Sequence, residues 1–466
     1  MFSFSIQEHK FSHVHFIGIG GISMSGLAEI LIMEGYQVSG SDMNSSSIIE
    51  KLKGQGAKIY IGHNEDNING ADLVVYTDAI SNDNPELVKA QEKGIETIDR
   101  GTFLGRLMNN YRNSIAISGT HGKTTTTSMI TTILNKSSLD PTILLGGELD
   151  EIGGNVKLGG NDFLVAEACE YKGNILKYNP TMAIILNMEE DHLDYFKDIN
   201  HIVSTFARYA GNIKPNGHLI INIDDANAQK VINSSSCNVT TFGIKNKGDY
   251  TAENIVFTEE GFPQFTLNIK DKEKYTVTLS VMGAHNVYNA LASIAATHIC
   301  NLSIEDIIKW IKCYKGTHRR LETKGFIDGI KIVDDYAHHP TAIKASLSAI
   351  RNSQPRKLWC VFQPHTYSRT KLLLNSFAES FYNADKIIVT DIYAAREKDT
   401  GIIHSKDLVN LLVKKGADAI YIDSFDKIKD YLLENIKEGD IVVTMGAGNI
   451  YKLGESMLES KKKEAM

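Results

Sequence analysis

Ser114-Ile115-Ala116-Ile117-Ser118-Gly119-Thr120-His121-Gly122-Lys123-Thr124-Thr125-Thr126-Thr127 is the stretch on which the reading of this chain turns. An apolar, β-branched run of strand character ends in a turn with two glycines, and the threonine-rich segment behind it reads as a helix. Glycines let backbone N–H groups close around phosphate oxygens, and the N-terminus of the following helix adds partial positive charge. Gly119, Thr120, His121, Gly122, Lys123, Thr124 and Thr125 therefore form a candidate triphosphate cradle. In it Lys123 reaches the β- and γ-phosphates, and the Thr124 hydroxyl ligates Mg²⁺. The common form G-x-x-x-x-G-K-[ST] asks for glycine where Ile117 stands, so this loop is a shortened one. The structural alternative is a glycine-rich turn feeding a helix. The strand-to-helix context favours a nucleotide.

Upstream, repeated strand–helix units predict a parallel sheet, with strands at 13–18, 36–41 and 71–77 and an amphipathic helix at 23–35. The first turn reads Gly18-Ile19-Gly20-Gly21-Ile22-Ser23, and Asp42 stands at the end of the next strand. This approaches the dinucleotide fingerprint, with Ser23 in the place of its third glycine. An acid at Asp42 can accept a ribose hydroxyl. Gly18, Gly20, Gly21 and Asp42 thus fit any nucleoside diphosphate, a UDP-sugar included, or else a plain structural turn.

Downstream, strand-like runs at 162–168, 181–187 and 218–223 extend the central unit. An alternating, antiparallel stretch lies within 250–281, and a helix at 284–298 follows it. From 319 onward strands at 331–335, 357–362, 386–391, 419–422 and 440–444 alternate with helical segments. The charged tail at 459–466 is expected to fray. The expected architecture is α/β, with three domains in series. These are an N-terminal Rossmann-like domain (1–110), a central P-loop ATPase-type domain with an added antiparallel portion (111–318), and a C-terminal Rossmann-like domain (319–466).

Composition agrees with that scale. The 466 residues, 42% hydrophobic and 23% charged, suffice for three domains with cores of their own. A net charge of -7 argues against a general nucleic-acid or membrane-surface binder, so anionic ligands must be held by local groups. Cys169, Cys237, Cys300, Cys313 and Cys360 are scattered, without C-x-x-C spacing, as expected in a reducing cytosol with no disulfide framework or zinc site. No apolar run approaches the ~18 residues of a membrane span, and the first residues lack a leader pattern. A cytoplasmic protein is expected.

Polar clusters follow the strands. Glu167-Ala168-Cys169-Glu170 ends one, and Met188-Glu189-Glu190-Asp191-His192 ends the next. Both fall at the carboxyl edge of the sheet that carries the phosphate loop, where hard-cation chemistry calls for oxygen ligands and a histidine can complete the shell. His285, Asn286 and Asn289 open a helix, either reading a nucleobase edge or, for Asn286, capping it. Arg319 and Arg320 stand at the second boundary, where they swing onto phosphates or stay solvated. Asp334-Asp335-Tyr336-Ala337-His338-His339 then crowds a further strand end.

In order along nearly the whole chain, these motifs resemble those of the Mur ligases of bacterial peptidoglycan synthesis. They are G-I-G-G-I-S-M-S-G-L-A at 18–28, G-T-H-G-K-T-T-T-T at 119–127, N-M-E-E-D-H-L-D at 187–194 and H-N-V-Y-N-A at 285–290. D-D-Y-A-H-H-P at 334–340, F-Q-P-H-T-Y-S-R-T at 362–370 and G-A-G-N-I at 446–450 complete the set. The resemblance implies ATP-dependent ligation of L-alanine to UDP-N-acetylmuramate, with ATP and Mg²⁺, by a monomer or homodimer with no nucleic-acid or membrane partner. It implies that Lys123 stabilises phosphoryl transfer and that Thr124, Glu167 and His192 surround Mg²⁺. It also implies that Asn286, Asn289, Arg320 and Asp335 contact the nucleotide, that Gly18, Gly20, Gly21 and Asp42 hold UDP, and that Tyr336, His338, His365 and Arg369 serve the amino acid.

Two departures stand out. Many relatives read E-A-D-E-S where this chain has Glu167-Ala168-Cys169-Glu170-Tyr171, which keeps Glu167 and makes Cys169 a small side chain or a mildly modifiable thiol. Many carry arginine where Thr366 stands, which leaves Arg369 to meet the alanine carboxylate. A family ligase that attaches a whole peptide during wall recycling is the near alternative. A nicotinamide-dependent oxidoreductase is opposed by Ser23 and the Lys123 loop, and a non-catalytic sensor by the charged set from Lys123 to Asp335.

Overall fold

The computed structural model describes residues 11–193, 195–395 and 397–464. It holds three sheets, each with its polar clusters at the carboxyl ends of parallel strands.

The first sheet comprises β1 (His13–Ile17), β2 (Gln37–Asp42), β3 (Lys58–Ile61), β4 (Leu73–Tyr76) and β5 (Glu96–Asp99), all parallel, in the order β3-β2-β1-β4-β5. β1 is buried along its whole length, as a strand covered on both faces should be. The order reverses at β1, the switch point beyond whose strand ends sheets of this kind hold their ligands. The Gly18 turn sits at that point and leads into the helix Ile22–Met33.

The second sheet comprises β6 (Asn113–Ser118), β7 (Thr142–Leu149), β8 (Gly154–Lys157), β9 (Phe163–Glu167), β10 (Met182–Ile185), β11 (His218–Asn222), β12 (Asn238–Gly243), β13 (Tyr250–Phe257), β14 (Pro263–Ile269) and β15 (Glu273–Thr278). Their order is β15-β14-β13-β12-β11-β10-β6-β9-β7-β8. β6 lies between β10 and β9 and parallel to both, so the phosphate loop emerges between the two polar strand ends. β13, β14 and β15 are neighbours, and the bonds from Lys270 N to Asp249 O and Thr258 N to Phe262 O, then Lys272 N to Ile269 O and Leu279 N to Pro263 O, run them in opposite directions as the expected antiparallel portion. The antiparallel β7–β8 hairpin was not legible in the sequence.

The third sheet comprises β16 (Glu322–Ile327), β17 (Ile330–Asp335), β18 (Leu358–Phe362), β19 (Lys386–Val389), β20 (Ala419–Tyr421) and β21 (Ile441–Met445), in the order β16-β17-β21-β18-β19-β20. Only β16 is antiparallel. Register aligns Asp335 and Phe362 with Met445, which brings the segments after β17, β18 and β21 to one edge.

Contacts gather the chain into two compact units. One runs to Asn254 and takes in Thr266–Val277 and Tyr288–Tyr314; the other holds Ile255–Phe265, Thr278–Val287 and the chain from Lys315. One hydrophobic core joins the first two sheets, from Val14 and Phe16 to Leu164, Ile185 and Phe206. Separate cores, around Phe362 and around Trp359, cover the faces of the third sheet.

The helix Tyr451–Glu464 runs into the charged tail and is seated in the core by Leu453 and Met457, both ahead of residue 459. In the first helix the tightly packed glycine is Gly26, where a Cβ would come within 2.4 Å of Leu144 Cδ1.

Candidate active site

At the switch point of the first sheet the turn is held by the end of β2. The Ser41 carbonyl accepts hydrogen bonds from Gly18 N (2.8 Å) and Ile19 N (3.0 Å), and Gly21 N donates to Gly18 O. Asp42 Oδ2 accepts from Gly20 N at 2.9 Å. The sequence-predicted quartet is thus one connected group, with the Asp42 carboxylate turned over the glycine turn.

The phosphate loop is built differently. Gly122 adopts φ +86, a left-handed turn open to glycine, directly before the helix Lys123–Lys136. A Cβ there would fall 2.5 Å from Asn289 Oδ1. Asn289 is buried on the helix His285–Ile299 and accepts from Thr126 Oγ1 at 3.2 Å, so that helix braces the loop. From the other side Asn187, just past β10, accepts from His121 N (2.8 Å) and donates to His121 O (3.0 Å). Thr120 accepts from Glu189 N at 2.9 Å, and His121 Nε2 lies 3.4 Å from Glu189. Thr124 is buried, and Thr125 is partly exposed.

Lys123 Nζ donates to the Gly119 and Thr120 carbonyls and meets both oxygens of Glu170, at 3.1 and 3.2 Å. Burial works against the ammonium, yet Glu170, with Glu167 contributing less, raises Lys123 above the usual lysine range. Glu170 has the sequence signature of an acid just past a strand end, but nothing in the sequence named its partner. Glu167 Oε1 accepts from Gly146 N at 2.7 Å. His192 takes a left-handed backbone (φ 53), and its ring lies 4.7 Å from that of Tyr171. Glu167, which ends β9, and His192, past β10, therefore follow strands on opposite sides of the loop-bearing β6. Desolvation, reinforced by Glu170, raises the Cys169 thiol, which makes it a small, partly exposed neighbour and not a reactive thiolate.

Asn286 is buried, donating from Nδ2 to Met282 O at 2.7 Å and from its backbone N to Gly283 O. This ties the helix start to the preceding turn, with Asn286 lying inside the helix and donating, not accepting as an N-cap would.

In the third sheet Asp335 is buried, and its oxygens accept from Leu321 N (2.8 Å) and Ala337 N (2.7 Å). Its carboxylate thereby fixes the turn that carries Arg320, whose guanidinium lies 5.0 Å from the Tyr336 ring. Burial raises the Asp335 carboxyl, with Arg320 opposing, and raises Asp334 to about 6 against Thr444 and Arg319. Tyr336, His338 and His365 form a continuous run, with ring centroids 5.3 and 5.6 Å apart. Arg369 Nη1 lies 3.2 Å from His365 Nδ1. Tyr393, which no sequence signal marked, stacks on His365 at 5.8 Å. Thr366 caps the helix Tyr367–Leu372 by accepting from Arg369 N at 3.4 Å. The four predicted amino-acid-site residues come together; Thr366 serves the backbone instead.

Among the described residues no helix is long and apolar enough to cross a membrane.

The chain is similar to known proteins along nearly its whole length. The Mur ligase family catalytic domain matches residues 13–112, the Mur ligase middle domain 117–297 and the Mur ligase glutamate ligase domain 319–448. The UDP-N-acetylmuramate–L-alanine ligase of Acetivibrio thermocellus is 54% identical over 99% of this chain and 98% of its own length. Among solved structures, UDP-N-acetylmuramate–alanine ligase from Thermotoga maritima superposes with TM-score 0.84 at 27% identity, covering 98% of this chain and 100% of that one. A murein peptide ligase from Psychrobacter arcticus gives 0.73 at 26%, covering 96% and 98%. The chain belongs to the Mur ligase family.

Proposed function

We propose that this chain is a cytoplasmic, ATP-dependent acid–amino-acid ligase, acting as a monomer or homodimer, that joins L-alanine to UDP-N-acetylmuramate in peptidoglycan precursor synthesis. The observation that carries the chemistry is Lys123, seated inside the glycine loop and backed by Glu170. We assign residues 1–110 to the sugar nucleotide, 111–318 to ATP and 319–466 to the amino acid.

A carboxylate and an amine do not condense usefully in water. The muramate carboxylate oxygen therefore attacks the γ-phosphorus of ATP, ADP leaves, and an acyl phosphate results. The alanine amine then attacks the acyl carbon, loses a proton, and expels phosphate. Such chemistry asks for charge clamps and positioning. Lys123 and the loop N–H groups of 119–125 hold the β- and γ-phosphates. Asn286, Asn289 and Arg320 serve the nucleotide, with Asp335 setting the Arg320 turn. Gly18, Gly20, Gly21 and Asp42 hold the UDP moiety, and Arg369 faces the alanine carboxylate in a pocket walled by Tyr336, His338 and His365.

Thr124, Glu167 and His192 offer a hydroxyl, a carboxylate and an imidazole around the phosphate loop, a donor set that fits Mg²⁺ carried on a triphosphate. When bound, that ion neutralises phosphate charge and orients the γ-phosphoryl group.

Phosphate release from ATP with UDP-N-acetylmuramate, with L-alanine or a peptide added separately, tests the proposal. Release with L-alanine supports it. Release with the peptide alone would replace it with the peptide-recycling activity.

A further inference from the structure

A buried acid that the chemistry above leaves unused lies beneath the glycine turn of the first sheet. Glu86 enters the helix Pro85–Glu92 behind Asn84, whose side chain accepts from Glu86 N and Leu87 N, and behind Pro85 at the first helical position. Its side chain is wholly buried. Oε2 accepts from the Ser41 hydroxyl at 2.6 Å and lies 3.2 Å from His63 Nδ1, while Oε1 accepts from Asn67 Nδ2. His15 Nε2 stands 3.9 Å away, and His15 Nδ1 shares the Ser39 hydroxyl with His13 Nε2. Burial works against this carboxylate, but His15, Ser41 and Asn67 outweigh it and hold the carboxyl below its ordinary range.

Ser41 has two jobs. Its hydroxyl meets Glu86, and its carbonyl receives Gly18 N and Ile19 N. The next residue, Asp42, receives Gly20 N. His63, beyond β3, lies 3.1 Å from the Ser41 hydroxyl and joins the same carboxylate. One buried acid thus ties together the ends of β2 and β3 where the turn rests. A charge so buried is costly unless fully hydrogen-bonded, and an apolar side chain would fill the space at lower cost. What it supplies is placement.

We propose that Glu86 is a positioning residue of the sugar-nucleotide site, setting the glycine turn and Asp42 through Ser41 and His63. This rests on the assignment of the sugar nucleotide to the first sheet. Glu86→Gln keeps the shape, but with its amide oxygen facing Asn67 it puts an amide nitrogen where Oε2 accepts from Ser41, so the Ser41 hydroxyl loses its carboxylate acceptor and must turn to accept instead.

The test is calorimetric binding of UDP-N-acetylmuramate to the full chain and to Asp42→Asn, Ser41→Ala and Glu86→Gln, with steady-state kinetics beside it. Loss of one such contact is expected to weaken sugar-nucleotide Kd and KM on the order of ten-fold in Glu86→Gln. Ser41→Ala should do so several-fold. The KM for ATP and kcat at saturation should hold. If Asp42→Asn weakens binding while Ser41→Ala and folded Glu86→Gln bind as wild type, the positioning role alone is overturned. Wild-type binding by Asp42→Asn would overturn the site assignment, and the positioning role with it. An equal loss of kcat and every KM, with a lowered Tm, would reduce Glu86 to a scaffold residue. Should Glu86→Gln not fold, Ser41→Ala decides by the same criteria.

Discussion

The molecule uses the strand–glycine turn–helix device twice and finishes it in opposite ways. The turn after β1 is steadied by oxygens, the Ser41 carbonyl and the Asp42 carboxylate, and the helix behind it carries no charge in its first turn. The loop after β6 is steadied by amides, Asn187 on one side and Asn289 on the other, and its helix opens on Lys123. A negative supplement suits hydroxyl-bearing sugar, and a buried cation suits phosphoryl groups on which charge shifts during reaction. The backbone alone therefore does not separate a holding site from a reacting one. The charge placed at the turn does.

Removing that charge should produce the largest effect. Lys123→Ala is expected to cut turnover by ~10²–10³, the usual worth of one positioned cation, while sugar-nucleotide binding stays unchanged. Because Glu170 would then be buried without its cation, activity must be read on protein shown to be folded by circular dichroism. Wild-type turnover in that protein would break the comparison. Glu167→Ala and His192→Ala come next. Each should raise the Mg²⁺ concentration needed for half-maximal phosphate release and leave UDP-N-acetylmuramate binding alone. If Mg²⁺ titrations of both variants overlay the wild type, these residues leave the metal site.

Why the two turns were legible, and their supports were not, follows from range. Strand, glycine turn and helix are local patterns, so β1, β6 and the loops after them could be read directly from residues 13–42 and 114–127. The aligned edge of the third sheet was legible because polar clusters recur after apolar runs. The supports come from far along the chain. Asn187 reaches back 66 residues to His121, and Glu170 reaches back 47 to Lys123. A β7–β8 hairpin and the stacking of Tyr393 on His365 likewise depend on register and not on spacing. Glu86 carries no local pattern that marks it, and its burial against Ser41 depends on a contact 45 residues away.

The Lys123–Glu170 pair sharpens the contrast at intermediate size. Taking one partner from a buried pair costs roughly 3–5 kcal/mol. Glu170→Gln, which retains a hydrogen-bonding oxygen, should cost about 1–3 kcal/mol, read from the midpoint of urea unfolding. Phosphates bring negative charge to the same ammonium, so ATP with Mg²⁺ should restore more stability to Glu170→Gln than it adds to the wild type. Equal gains from nucleotide in the two proteins would show that Glu170 and the phosphates do not share Lys123.

The smallest effect is expected at the third sheet, where a cation again faces a carboxylate but neither turn is involved. Thr366 cannot pair with a carboxylate and is engaged in capping the helix Tyr367–Leu372. Arg369, held beside His365 at 3.2 Å, is the cation at the His365 end of that cluster, with Arg320 over Tyr336 at the other. Arg369→Lys keeps the charge and loses the planar fork, so a bidentate grip on the alanine carboxylate becomes a single point contact. The full loss of such a buried contact is worth roughly 2–5 kcal/mol, and lysine should fall below that range. The expected outcome is a KM for L-alanine raised about ten-fold or less, with KM for ATP and for the sugar nucleotide unmoved. Three unchanged KM values would make Arg369 a solvated residue at a helix start. A rise confined to ATP would move Arg369 from the amino acid to the phosphates, and the third sheet would then share in the chemistry of the β6 loop.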